Sequence, residues 1–216
     1  MLKKAVFLFC ILLLTAGCSV FADYQLANQL VDSIEQLVRQ QNDTEQTRNK
    51  MDAYYKNMES SMSRFQRTIQ ETGKADPNEL KALLKDMDTV IAELRKYQTE
   101  EEKMIQQLDQ LMKQAGELSG EKQELANDTL TLFKQLVQRE SKLAEVNIQI
   151  LTTNKNYYTA LAHKTTLPKD QFEPLNQERK KLEKETESFI QKFNQSWDRF
   201  SREVTGQPLN KSNQSL

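Results

Sequence analysis

Residues 51–77 read MDAYYKNMESSMSRFQRTIQETGKADP and contain both a helical repeat and the place where it stops. Apolar side chains recur at steps of three and four residues, as in a coiled-coil seam: Met51, Tyr55, Met58, Met62, Phe65 and Ile69. Gly73 suits the position just after a helix end, and Asp76 followed by Pro77 is typical of a helix start. Glu79 completes a capping box with Asp76. The stretch therefore predicts two long amphipathic helices joined by a short turn.

The same pattern extends upstream, because no Gly or Pro occurs between Cys18 and Thr72 and the stripe includes Leu30, Ile34 and Leu37. Three polar residues then occupy stripe positions, namely Gln41, Thr44 and Arg48. Polar residues in a seam commonly fix the register of neighbouring helices. We favour that interpretation of this polar layer over a binding site.

Downstream, the residues from Gly116 to Gly120 allow two interpretations. They could form a turn, with Ser119 capping a third helix, or lie within one uninterrupted helix, since the apolar stripe keeps its phase through them. We favour the turn. Pro168 ends the following helix, and Pro174 fits only the first turn of the next helix or the loop before it. The last helix is predicted from about residue 175 to 204, with these side chains inward: Leu182, Phe189, Phe193, Trp197, Phe200 and Val204.

The composition agrees with long helices. With 5 Gly and 4 Pro in 216 residues, the chain has too few turn formers for a sandwich, barrel or doubly wound sheet. Long helices with short connections are antiparallel neighbours. We therefore predict an all-α fold, an elongated up-and-down antiparallel bundle of four helices over residues 24–205, with three helices including one very long helix as the alternative. Residues 206–216 are predicted to be a disordered tail.

The N-terminus has the features of an export signal. Lys3 and Lys4 precede an apolar run, residues 5–14, too short to span a bilayer. The run ends in Leu14-Thr15-Ala16-Gly17-Cys18, which looks like the lipobox of bacterial lipoproteins, although Leu stands one place earlier than usual. We predict a signal peptide over residues 1–17, and over 18–23 a lipidated Cys18 with a short tether. An ordinary secretory signal and an uncleaved anchor are the alternatives.

Processing of this kind has chemical consequences. Cys10 would leave with the signal peptide, so the mature chain would hold one acylated Cys and no disulfide. Of the 30 basic residues two would be lost, leaving 28 against 31 acidic residues and a net charge of −3. A mildly acidic body gains nothing from an anionic membrane surface, so the acyl chains on Cys18 would hold the protein at the membrane.

The sequence offers little chemistry. One His and two Cys exclude zinc modules and most His-dependent catalysis, and the near-neutral charge argues against nucleic-acid binding. His163 is expected to complement a helix C-terminus. The runs at Glu100–Glu102 and Glu183–Glu185 are expected to be solvated helix faces. We predict no enzyme activity, cofactor or metal. Tyr54 and Tyr158, each in an adjacent tyrosine pair, are the candidate surface aromatics for binding glycan strands, with an ordinary bundle boundary as the alternative.

With its lipobox and its Lys-, Glu- and Gln-rich helices, the whole chain resembles the YkyA-type cell-wall-binding lipoproteins of Gram-positive bacteria. That resemblance implies a helical bundle on the outer face of the plasma membrane, with Cys18 lipidated. If the cell is Gram-negative, we expect the anchor to lie in the outer membrane instead. The expected function is a non-enzymatic spacer or adaptor whose partner is peptidoglycan or another envelope protein. The alternative is a helix-binding, chaperone-like module or an accessory subunit of an envelope complex.

Overall fold

The computed structural model describes the backbone of residues 2–165 and 172–207, and the side chains of 22–43, 51–165 and 172–207. These residues form helices and no strands, which confirms the all-α prediction. The helices are α1 (Leu2–Thr72), α2 (Pro77–Ala115), α3 (Gly120–Ala162) and α4 (Phe172–Thr205). Residues 166–171, with the break at Pro168, and 208–216, most of the predicted tail, lie outside the described residues.

The break between α1 and α2 has the predicted chemistry. Gly73 has φ +68°, a left-handed backbone conformation that is unfavourable for a residue with a side chain. Its amide donates a hydrogen bond to the Ile69 carbonyl at 2.9 Å. Asp76 caps α2, because its Oδ1 accepts from the amides of Asn78 at 2.7 Å and Glu79 at 3.2 Å. Pro77 is the first residue of α2, as predicted.

The other two predicted boundaries have different outcomes. The turn between Ala115 and Gly120 is confirmed, so an uninterrupted helix through both glycines is excluded. α4 begins at Phe172, three residues before the predicted start. The earlier start is compatible with Pro174 because the amides of the first helical turn have no intrahelical partner.

The chain divides into two compact units. Unit 1 consists of residues 1–40, 106–134 and 190–216, and unit 2 of residues 41–105 and 135–189. In unit 1 all four helices contribute fully buried side chains, and the aromatic ones lie mainly on α3 and α4. The ring centroids of Phe133 and Phe193 are 4.6 Å apart, and those of Trp197 and Phe200 are 6.2 Å apart. The predicted inward face of α4 is thus confirmed here, because Phe193, Trp197, Phe200 and Val204 are buried.

Unit 2 has a core built from α1, α2 and α3. Its buried members are Met58, Phe65, Leu83, Met87, Val90, Ile91, Leu94, Ala144, Leu151 and Tyr158. α1 and α2 run antiparallel, since Gln41 bonds to Glu101 while Ser61, farther along α1, bonds to Asp86 at 2.5 Å. These two consecutive helices of unit 2 therefore have the antiparallel order expected of a short connection.

Candidate functional site: a buried polar cluster

Four polar side chains meet inside unit 2, and we call Gln41, Tyr97, Glu101 and Glu140 the buried polar cluster. They come from α1, α2 and α3. The Gln41 side-chain amide donates to Glu101 Oε1 at 3.2 Å and also to Glu140 Oε2. The Tyr97 hydroxyl donates to the same Glu140 oxygen at 3.3 Å. One amide group thus links carboxyl groups from two other helices.

The helical repeat itself brings these residues together. Gln41 follows Leu37 by four residues on the α1 stripe, and Glu101 stands four residues after Tyr97 and three before Met104 on the α2 stripe. Glu140 lies four residues after Leu136 and three before Leu143. All three polar residues therefore occupy seam positions, where a helix normally places an apolar side chain.

Glu101 is the most deeply buried carboxyl of the cluster, with 1% of the residue exposed. The pKa of Glu101 is raised to about 8, mainly by burial and next by the nearby charge of Glu140, while hydrogen bonds from Gln41 and Tyr97 act in the opposite direction. Burial also raises the pKa of the Tyr97 hydroxyl, as do the two carboxylates. At neutral pH, Glu101 consequently holds its proton and the cluster carries less negative charge than its composition suggests.

The run Glu100–Glu102 was predicted to be a solvated face, and for Glu101 that prediction is wrong. Its neighbours Glu100 and Glu102 are exposed, as predicted. The difference arises because successive helical residues are 100° apart, so only one of the three can lie in the seam. The 3-4 spacing from Tyr97 to Met104 is the sequence signal that identifies Glu101.

Arg139, the residue before Glu140 on α3, joins α4 to this part of unit 2. Its guanidinium carbon lies 3.7 Å from the centroid of the Phe189 ring, and its Nε is 3.6 Å from Glu185 Oε2. Phe189, predicted to point inward, is thus half-buried beneath the arginine plane. α4 thus contacts α3 at the residue that directly precedes Glu140 of the cluster.

The arrangement can join helices, but it is poorly placed for catalysis on a dissolved substrate. A carboxyl as buried as Glu101 is out of reach of such a substrate, whereas general acid–base chemistry needs contact with the reacting atoms. A buried amide between two carboxyl groups instead favours one axial register of the three helices. This supports the register-setting interpretation of Gln41. The side chains of Thr44 and Arg48, the other members of the predicted polar layer, lie outside the described residues.

The two candidate aromatic residues lie against the core. The prediction that Tyr158 lies at the surface is wrong, because the residue is 4% exposed. The centroid of its ring lies 5.9 Å from that of Phe65 in an edge-on contact, and its hydroxyl accepts a hydrogen bond from the Gln66 side-chain amide at 2.8 Å. Packing against Phe65 places Tyr158 inward and leaves Tyr157 the more exposed of the pair. Tyr54 is half-buried and packs against the unit 2 core.

The remaining predicted site residues stand apart from this cluster. Cys18 falls within α1, but its side chain is outside the described ones, so its lipidation stays a prediction. His163 is exposed just after α3, and its amide donates to the Thr159 carbonyl at 3.2 Å. Within the described residues, no group of three or more His, Cys, Asp or Glu side chains is arranged to hold a metal ion.

Comparisons with known proteins add no family to this description. The chain matches no protein-family model, no curated protein and no solved structure. Among the described parts of the chain, no helix has an apolar stretch long enough to cross a bilayer.

Proposed function

We propose that this protein is a lipid-anchored envelope lipoprotein that acts without catalysis as a spacer or adaptor. The observation that carries the proposal is the stretch Leu14–Cys18, at the end of an apolar run that follows two lysines. Diacylglycerol on Cys18 and cleavage after Gly17 would leave the chain held by its first residue. Two or more acyl chains are sufficient for stable anchoring where a single chain is marginal.

The helical structure supports a spacer because the proposed anchor is joined directly to a packed body. α1 is continuous from Leu2 to Thr72, and Ala27, the first fully buried side chain among those described, comes nine residues after Cys18. In an α-helix this interval is about 14 Å. We infer that the long helices form one up-and-down bundle, which antiparallel neighbours within unit 2 support. The partner at a distance from the membrane would be peptidoglycan or another envelope protein.

The anchor is tested by metabolic labelling of the full-length protein with a palmitate analogue in a bacterial host. We expect wild-type protein to be labelled and to fractionate with membranes, and Cys18→Ala to lose both properties. Cys10→Ala is the matched control, because Cys10 would be discarded with the signal peptide and its loss should change neither. Equal labelling of wild type and Cys18→Ala would refute the anchor.

The wall contact is tested by sedimenting the Ser19–Leu216 fragment with purified peptidoglycan at low and high salt. Salt-resistant pelleting supports direct binding, and Tyr54→Ala is then the first variant to compare. If the fragment stays in the supernatant at both salt concentrations, direct wall binding is refuted. Cross-linking at the membrane would then identify the protein partner that the adaptor function requires.

A further inference from the structure

Tyr24, six residues after Cys18 in α1, is the one large hydrophobic side chain that is exposed among those the structure describes, at 48%. It lies in unit 1 together with the turn between α2 and α3. The ammonium group of Lys122 on α3 lies 5.1 Å from the centroid of the Tyr24 ring. The neighbouring residue Asp23 accepts a hydrogen bond from the Ser119 hydroxyl. Two contacts thus hold this segment of α1 against the turn and the first residues of α3.

The turn is itself well ordered by local bonds. The Glu117 amide donates to the Gln114 carbonyl at 3.0 Å, and the Gln123 side-chain amide donates to the Gly116 carbonyl at 2.8 Å. Leu118 points inward and is 3% exposed. The turn therefore presents backbone and polar groups outward at a fixed position beside Tyr24.

The position of this surface relative to Cys18 follows from helix geometry. Tyr24 comes six residues after Cys18 in the same helix, which is about 9 Å along the axis. A diacylglyceryl group places its cysteine at the edge of the hydrocarbon core, and the headgroup layer beyond it is roughly 5–7 Å thick on each side. In a helix that stands normal to the bilayer, the Tyr24 Cα lies just beyond that layer. Because helical side chains tilt toward the helix N-terminus, the Tyr24 ring reaches back to the outer part of the headgroup layer.

The chemistry of the pair suits that layer. Tyrosine is enriched at membrane interfaces because its ring is apolar and its hydroxyl is polar. The Lys122 ammonium can reach lipid phosphate while its methylene chain covers apolar surface. Glu117 and Glu121 are exposed close by, so the local charge gives no net attraction to anionic lipid. Contact then depends on the anchor and on the Tyr24 ring, and zwitterionic lipid should be sufficient.

We propose that Tyr24, Lys122 and the turn of residues 116–119, which we call the membrane-proximal surface, lie in the phospholipid headgroup layer. This inference rests on the proposed lipidation of Cys18. It assigns the lipid bilayer as the partner of one end of unit 1.

The test uses full-length protein processed in bacteria and reconstituted into phosphatidylcholine vesicles containing brominated lipid. Tyr24→Trp in a Trp197→Phe background gives a single reporter. Gln40→Trp in the same background is the control, since Gln40 is exposed and lies sixteen residues farther along α1, about 24 Å in the same unit. If the Trp197→Phe background fails to fold, an environment-sensitive dye on Lys122→Cys reports on the same surface, since the only cysteine expected to remain, Cys18, would be acylated.

We expect the protein to float with the vesicles, the residue 24 reporter to lose most of its emission to brominated lipid, and the residue 40 reporter to keep its emission. If the protein floats but iodide in the buffer quenches both reporters equally and lipid quenches neither, the membrane-proximal surface does not lie in the headgroup layer. The proposed anchor is unaffected by that result. If the protein does not float and its mass shows no lipid, the proposed anchor fails and this inference fails with it.

Discussion

Replacing Glu101 with Gln should change how the stability of the protein depends on pH. Gln is close in size to the protonated carboxyl and has an acceptor oxygen and N–H donors in place of the O–H, but it cannot ionise. Because the pKa of Glu101 is raised from 4.5 to about 8 in the folded chain, its contribution to stability is fully present below pH 4.5 and is lost as the pH rises through 8. This change in pKa corresponds to about 5 kcal/mol, of which about 4 kcal/mol develops between pH 5 and pH 9.

The assay is urea unfolding of the Ser19–Leu216 fragment at pH 5 and pH 9, followed by far-UV circular dichroism. The free energy of unfolding of Glu101→Gln, relative to wild type, should rise by about 4 kcal/mol between the two pH values. Glu102→Gln removes the same charge from the exposed neighbouring position and should follow wild type. Parallel pH dependence of wild type and Glu101→Gln would show that burial does not raise the pKa of Glu101.

Three further substitutions test other parts of the structure. Gln41→Met removes the amide that links the two carboxyl groups, and it should lower the free energy of unfolding at pH 7 by about 1–3 kcal/mol, measured by urea unfolding. An unchanged free energy of unfolding would mean that the hydrogen bonds of Gln41 do not contribute to stability. Phe193→Ala empties a fully buried site and should cost about 3–5 kcal/mol in thermal unfolding, whereas the exposed Tyr24→Ala should cost much less. Asp76→Ala removes the cap of α2 and should lower the free energy of unfolding by about 1 kcal/mol, with faster amide hydrogen exchange confined to the first turn of α2. An equal increase in exchange rate at all amides of α2 would contradict the cap.

Helix boundaries could be predicted from the sequence because their signals are local. Gly73, Asp76 and Pro77 each act within a few residues, so the turn between α1 and α2 was identified correctly. The start of α4 was placed too late because Pro174 is tolerated anywhere in a first helical turn. In both places the prediction depended on what a residue does to its own backbone.

The partners in the buried polar cluster could not be identified in the same way. Gln41 lies 60 residues from Glu101 and 99 from Glu140, so their contact depends on how three helices align. Tyr158 illustrates the same limit, because helical spacing alone did not decide which member of the Tyr157–Tyr158 pair would be buried. The seam positions of Gln41, Glu101 and Glu140 show that polar residues in register with an apolar stripe should be paired with one another before they are assigned to the surface.

The aromatic core of unit 1 also determines what spectroscopy can report. The chain has a single tryptophan, Trp197, which is fully buried in unit 1, whereas Glu101 belongs to unit 2. Tryptophan emission therefore follows the melting of unit 1 alone, and circular dichroism follows the helices of both units. If raising the pH shifts the two melting curves together, the chain unfolds as one cooperative block. If only the dichroism curve shifts, unit 2 melts independently, and the chain supplies its own optical reporter for that difference.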